Sequence, residues 1–405
     1  MRWMTAGFSL LALASATAAQ AWAPQTSGTA NPLQEAWFTS PTTGWIVGSA
    51  GTALFTTDAG ATWNAVALTG ADLHDVAFLG TATGLIVGDG GRVFRTTNAG
   101  TTWSPVASGT ASNLLAVAFG GPGHAYAAGR DGVILASTDD GASWQTAETG
   151  TVRWRDADAS GLTAWIVGDG GLIRATTDGG ATWGNQASGS VADFRGVHFR
   201  TPSEGWVAGT NDTALHTTDA GATWALRNAG INVGLNAVHF IGPTNGWAVG
   251  DGGAIFRTIN GGASWVPEAS GTTQPLNDVF FPTGARGWAV GDAGTVLVRD
   301  DPTGLVELGV DSRLLAPSSA PNPFRRFTAV RYALPAAAET HAALTVHDVT
   351  GRLVRTLIDG PQSPGAHVVT WDGRDASGAR VPSGIYFYRL SWNGETRTGR
   401  TAVVR

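Results

Sequence analysis

Six short segments place an oxygen-bearing side chain at a constant distance before a glycine and a tryptophan. Asp58, Asn98, Asp139, Asp178, Asp219 and Asn260 are each followed, five residues on, by Trp63, Trp103, Trp144, Trp183, Trp224 and Trp265. Carboxylates and amides spaced this regularly invite metal or sugar binding. A catalytic group, however, occurs once, whereas a turn device recurs in every copy. An Asp or Asn side chain accepts backbone N–H bonds inside its own turn, glycine supplies the left-handed backbone, and tryptophan covers the turn with apolar surface. The structural reading is therefore preferred. Asp156-Ala-Asp158-Ala-Ser160-Gly161 begins like a calcium loop, but Val167 stands where a bidentate glutamate is required, so a plain turn is expected. His74, His198, His216 and His239 fall in separate repeat units without metal-ligand spacing. Cysteine is absent, which removes thiol catalysis, zinc–thiolate sites and disulfides. No metal and no cofactor are expected.

The phrase Thr57-Asp-Ala-Gly-Ala-Thr-Trp63 and its five copies resemble the Asp-box, or bacterial neuraminidase repeat. That resemblance raises the possibility of a glycoside hydrolase, because sialidases of this kind use an arginine triad, a tyrosine nucleophile with a glutamate, and an acid/base aspartate. Tyr126 is the only tyrosine before the C-terminal region, and it stands at a repeated aromatic position, which assigns it to packing. A two-carboxylate hydrolase needs two acids held at a defined gap. Glu35, Glu148, Glu204 and Glu268 sit in unrelated repeat registers, and most aspartates are accounted for by turns. The expectation is a protein that is not an enzyme.

The elements that position these residues follow from the repeat itself. An aromatic or leucine recurs at Trp45, Leu85, Tyr126, Trp165, Trp206, Trp247 and Trp288, each with glycine three residues on. Every copy divides into four short strands: Leu-x-x-Val-x-Phe (Leu73–Phe78, Leu276–Phe281), the Trp-x-Val-Gly segment, a third strand after a Gly-Asp-Gly-Gly turn (Val93–Thr97), and a fourth beginning at the tryptophan (Trp103–Ser108). Four strands in about 40 residues make one propeller blade. The seventh copy lacks its tryptophan strand, since Asp301 runs into Pro302, while Trp22-Ala-Pro-Gln-Thr-Ser-Gly-Thr matches Trp103-Ser-Pro-Val-Ala-Ser-Gly-Thr. The predicted fold is all-β: a seven-bladed propeller over 22–301, closed by its own N-terminal strand. Composition agrees, with 43% hydrophobic residues, 57 glycines and only 14% charged residues. The net charge of −6 and the lack of a basic stripe argue against nucleic acid.

Arg2, an apolar stretch from Ala6 to Ala14 and small residues from Ser15 to Ala21 read as a signal peptide over 1–21. That stretch is too short to span a bilayer, and no other segment is a candidate. A secreted or cell-surface protein, reached through the periplasm, is expected.

The whole of 22–301 resembles the photosystem II assembly and stability factor family, through Gly-Trp-x-Val-Gly followed by Thr-x-Asp-Gly-Gly-x-Thr-Trp. The resemblance implies seven blades, no catalysis and a protein partner. Partners of propellers dock on the face opposite the Asp-box turns, where the loops entering each first strand carry Gln34, His74, Leu115, Arg155, Arg195, Asn236 and Asn277. The fourth position of the neighbouring turns adds Asp89, Arg130, Asp169, Asp251 and Asp292. Arg153, Arg155 and Arg195 come from neighbouring blades and form a candidate basic cluster for carboxylates or acidic peptides. The candidate partner-binding residues are therefore Arg153, Arg155, Arg195, His74, Asn236, Asn277 and Arg130.

Residues 302–320 read as a linker. Beyond it, a strand at Thr328–Leu334, Ala343–Val354, Val368–Asp375 and Val381–Leu390 alternate apolar residues with glycine turns, predicting a sandwich of about seven strands over 321–405. These phrases resemble the type IX secretion C-terminal sorting domain and the Ig-like domain of flagellar hook-capping proteins. The resemblance implies recognition by secretion machinery near Thr401–Arg405. The expected function is an exported, monomeric protein-binding scaffold. The alternatives are a glycoside hydrolase or carbohydrate-binding propeller, and an assembly factor for a membrane complex.

Overall fold

The computed structural model describes residues 22–404, apart from 228–232, 285, 301–316, 321, 325–327, 335–339, 363–364 and 393. The proposed signal peptide, Asp301, most of the proposed linker and Arg405 lie outside the described residues. The chain divides into two compact units, 1–302 and 303–405.

In the first unit, seven four-stranded antiparallel sheets follow one another as blades. Six consist of consecutive strands, from Leu33–Phe38 onward. The seventh takes its inner three strands from Leu276–Thr283, Arg286–Gly291 and Thr295–Asp300, and its outer strand from Ala23–Thr26. Ala23 pairs with Val298 and Thr26 with Thr295, so the chain's beginning closes the ring and removes an open sheet edge. Trp22 is 4% exposed and meets Phe281 edge to face at 6.0 Å.

Second-strand aromatics form the packing between blades. Trp45, Trp165, Trp206, Trp247 and Trp288 are buried, as are Leu85 and Tyr126 at the same position. The tryptophan that leads into the outer strand of the following blade packs on them: Trp103 lies edge to face on Trp45 at 5.3 Å, Trp183 on Tyr126 at 5.9 Å, and Trp22 takes that place in the cluster of Trp247. Gly100 is needed twice over. Its φ is +83°, and a Cβ there would come within 2.0 Å of the Trp45 ring. The fourth strands begin one residue after the tryptophan, as in Ser104–Val106, because the tryptophan itself completes the turn.

The second unit holds a three-stranded and a four-stranded sheet among the described residues. A strand at Thr328–Leu334 is present as predicted, whereas Ser318–Ala320, expected as linker, pairs with it as an edge strand. Trp371, Tyr388, Leu344, Val346 and Leu390 make the core.

Candidate site at the mouth of the propeller channel

Every inner strand carries the same irregularity. The register shifts by one residue between Leu33 and Glu35, and likewise at Leu73/Asp75, Leu114/Ala116, Trp154/Asp156, Phe194/Gly196, Leu235/Ala237 and Leu276/Asp278. Such a bulge turns two consecutive residues to one side. Both therefore reach a central cavity of about 610 Å³, lined by His74, Arg155, Arg195, Asn236 and Asn277 at the first of the two positions and by Glu35, Asp75, Asp156 and Asp278 at the second, with Arg153, just ahead of the fourth blade's inner strand, joining them.

The mouth residues are largely bonded among themselves. His74 Nε2 lies 2.7 Å from Asp89 Oδ1. Arg155 is paired with Asp169. Arg195 Nη1 donates to Asn236 Oδ1 at 2.7 Å and meets Asp251 Oδ1 at 3.2 Å. Asn277 Nδ2 donates to Leu33 O at 2.8 Å and to Asp292 Oδ1 at 3.0 Å, and Asn236 Nδ2 to Leu276 O at 2.8 Å. Arg155 and Arg195 are thus already compensated by turn aspartates. Arg153 differs: its Nε is buried without a hydrogen-bond partner, and no ion pair to it or to exposed Arg130 occurs among the described residues. Burial, then the charges of Arg155 and Arg130, hold the Arg153 guanidinium below its usual range. Arg130 does not line the cavity, but its charge acts on Arg153.

Beneath the mouth, the acids correct the sequence reading. Glu35 shares its register with Asp75, Asp156 and Asp278, so it is not an isolated position. Three of these carboxylates cap inner-strand N–H groups of the next blade: Asp75 Oδ2 accepts from Val117 at 2.7 Å, Asp156 Oδ2 from Val197 at 2.7 Å, and Asp278 Oδ2 from Ala36 at 3.1 Å. Innermost strands face the channel with an unpaired edge, and these bonds satisfy it. Burial pushes Asp75 up to about 7 and Asp278 to about 6, and raises Glu35 and Asp156 well above the usual carboxylate range. Glu148 and Glu268 do stand at different repeat positions, four and three residues after their tryptophans, but a register shift between Ile134 and Leu135 sets Glu148 opposite Ile134 as Glu268 is set opposite Ile255. Each sits in an outer strand and reaches an arginine of the next blade, Arg174 at 3.0 Å and Arg299 at 3.1 Å. Glu204 instead pairs with Arg200 in its own blade.

Asp156 and Asp158 lie in a strand, Trp154–Ser160, rather than in a turn. Asp158 Oδ2 accepts from Phe199 N at 2.6 Å, so the resemblance to a calcium loop dissolves into inter-blade bonding. His198 and His239, from neighbouring blades, stack at 4.4 Å. No group of three or more potential metal ligands occurs among the described residues.

The Asp-boxes form local turns. Asp58 Oδ1 accepts from Thr62 N at 2.9 Å and Thr56 Oγ1 at 2.8 Å, while Oδ2 accepts from Thr62 Oγ1 at 2.7 Å. Asn98 repeats the first two bonds and donates through Nδ2 to Thr102 Oγ1 at 2.9 Å. Tyr126 is fully buried, and burial pushes its hydroxyl up to about 12.

The missed acids had one visible signal. Leu-x-x-Val-x-Phe places apolar residues at intervals of three and two, which a regular strand of period two cannot bury on one face. Only a bulge reconciles that spacing with a strand.

Residues 14–110, 102–190 and 185–266 match the family model described as photosynthesis system II assembly factor YCF48. Residues 327–395 match the FlgD Ig-like domain. A 42-residue stretch is 48% identical to the basal-body rod modification protein FlgD of Salmonella typhimurium and of Salmonella typhi, taking in 10% of this chain. The chain spans 18% of the length of those curated relatives. Among solved structures, a YCF48 bound to D1 peptide is similar with a TM-score of 0.60 at 21% identity, over 69% of this chain and 96% of that one. YCF48 from Cyanidioschyzon merolae gives 0.59 at 22% identity, over 70% and 99%. The WD40 propeller of Doa1 gives 0.57 at 10% identity, over 68% and 96%. At these identities the likeness is one of fold.

Proposed function

Since the chain belongs to the photosynthesis system II assembly factor YCF48 family, we propose that its propeller is a non-catalytic scaffold that docks a protein or peptide partner at the channel mouth. The observation that carries this reading is Arg153, a half-buried guanidinium with a buried, unpartnered Nε beside a second uncompensated arginine, Arg130. A carboxylate from a partner supplies the missing acceptor and relieves the repulsion among these cations. The D1 peptide bound by a structurally similar propeller supports a peptide as the ligand class. The channel acids have a different task, because three of them are bonded to the neighbouring blade's backbone and hold the ring.

The first 21 residues and the Ig-like domain support delivery to the cell surface or medium, with the C-terminal strand as the part read by secretion machinery. An acidic peptide library titrated against the full chain tests the docking reading. Binders lost in Arg153→Ala and kept in Arg95→Ala support it; a library with no binder, or one indifferent to Arg153, defeats it. A glycan array that lights up instead moves the protein to the carbohydrate-binding alternative.

A further inference from the structure

We propose that the Ig-like unit seats an anionic lipid surface on the outer face of its four-stranded sheet, around Phe387, Arg389 and Arg400. Charge divides unevenly along the chain. Residues 303–405 hold 12 basic residues, all arginine, against 8 acids, whereas residues 22–302 hold 12 against 23. A chain of net charge −6 thus ends in a cationic unit.

The sheet runs in the order Leu353–Gln362, Thr340–His347, Gly384–Trp392, Glu395–Val403. Along the third strand Tyr386, Tyr388 and Leu390 fill the core, so the alternate residues Ile385, Phe387 and Arg389 face outward, and all three are exposed. Residues directly opposite one another share a face. Leu353, His347, Phe387 and Arg400 therefore form one row across the four strands, and Ile385 stands beside Ala402. Val349 lies in the turn at the same end of the sheet. Of ten large apolar side chains exposed among the described residues, Val349, Leu353, Ile385 and Phe387 are four; the other six are spread over the propeller. Arg352 and Arg397 are paired with Asp348 and Glu395. Arg389 and Arg400 are exposed and have no ion pair among the described residues.

The strand that carries Phe387 is bonded to a neighbour on both sides, so it offers side chains and no edge to which a peptide strand could add. Apolar tips beside guanidinium groups on long stems suit the boundary between lipid head groups and acyl chains. Ile385, Leu353 and Phe387 enter the apolar side of that boundary, while Arg389 and Arg400 reach back to the phosphates. This face belongs to a different compact unit from the channel mouth and uses none of its residues.

Co-sedimentation of the full chain with vesicles tests the seat. Vesicles of phosphatidylcholine carrying about one third phosphatidylglycerol are expected to bind at least about tenfold more tightly than phosphatidylcholine alone, and to lose that advantage between about 0.1 M and about 0.5 M salt. The double variant Arg389→Glu, Arg400→Glu is expected to abolish the preference for anionic vesicles. Phe387→Ser weakens binding severalfold and keeps the salt response, whereas Arg92→Glu, an equal charge change on an exposed propeller residue, alters nothing. The wild-type result stands without any variant: a chain that stays in the supernatant, or that binds neutral and anionic vesicles equally, overturns the proposal. So does a double variant that binds like the wild type. A chain that self-associates without vesicles, and is released by the double variant, assigns the face to a second copy and overturns the lipid reading.

Discussion

The indole Nε1–H of Trp22 donates to Glu268 Oε2 at 3.0 Å, across 246 residues of chain. The other oxygen of that carboxylate meets Arg299 at 3.1 Å, and Arg299 is 1% exposed, its guanidinium over the Trp247 ring at 5.3 Å. The first described residue thus fastens the outer strand of the sixth blade to the third strand of the seventh. Removing the ring creates a cavity and leaves a buried ion pair short of one partner. Trp22→Ala is expected to cost about 3–5 kcal/mol in urea unfolding. Deleting 22–29 is expected to cost more and to promote association through the exposed edge of Thr295–Asp300. An unchanged melting temperature and a monodisperse truncated protein would contradict both.

Asp-box chemistry separates charge from hydrogen bonding. Asn98 and Asn260 already perform the turn function, so Asp139→Asn is expected to be near neutral. Asp139→Ala loses the acceptor for Ser143 N and Ser137 Oγ and is expected to cost about 1 kcal/mol. Equal losses in the two variants, measured by denaturant midpoints, would show that charge and not bonding matters there.

Stability should peak in mildly acidic solution. In the unfolded chain the carboxyls ionise near 4. Asp75 and Asp278 stay protonated in the fold up to about 7 and about 6 because of burial. Between those limits the folded state binds more protons than the unfolded one, so stability falls as pH rises. At the acid end the sign reverses. Hydrogen bonds from Ser143, Thr182 and Thr223 hold Asp139, Asp178 and Asp219 down at about 2, so stability present above about 4 is lost as pH falls towards 2. A urea series from acid to alkaline pH checks this, and Asp75→Asn should flatten the alkaline limb. A wild-type curve that climbs steadily to pH 8 would refute the assignment.

The Ig-like unit has its own core, centred on fully buried Trp371, with Phe324 and Tyr386 edge to face at 5.4 and 5.3 Å. Trp371→Ala is expected to cost that unit about 3–5 kcal/mol and to leave the propeller transition in place. Calorimetry reads the two transitions; a single transition shifted as a whole would show that the units unfold together.

Much of the molecule is written in the linear chain. Blade number, closure by the residues after Trp22, the turn role of Asp58 and its copies, and the packing role of Tyr126 all follow from local patterns repeated in one register. Repetition makes such features legible because every copy meets the same environment.

What the chain alone could not decide is which charges remain uncompensated. Arg153, Arg155 and Arg195 look alike in sequence, yet Asp169 and Asp251 occupy two of them and leave the third, since pairing depends on which turn folds beside which strand. The same holds for Glu35, Asp75, Asp156 and Asp278. A bulge turns them into the channel, and ring closure brings Asp278 against a residue near the other end of the propeller. Only a closed ring makes neighbours of its first and last blades, and only that contact sets the Asp278 carboxylate on the backbone N–H of Ala36.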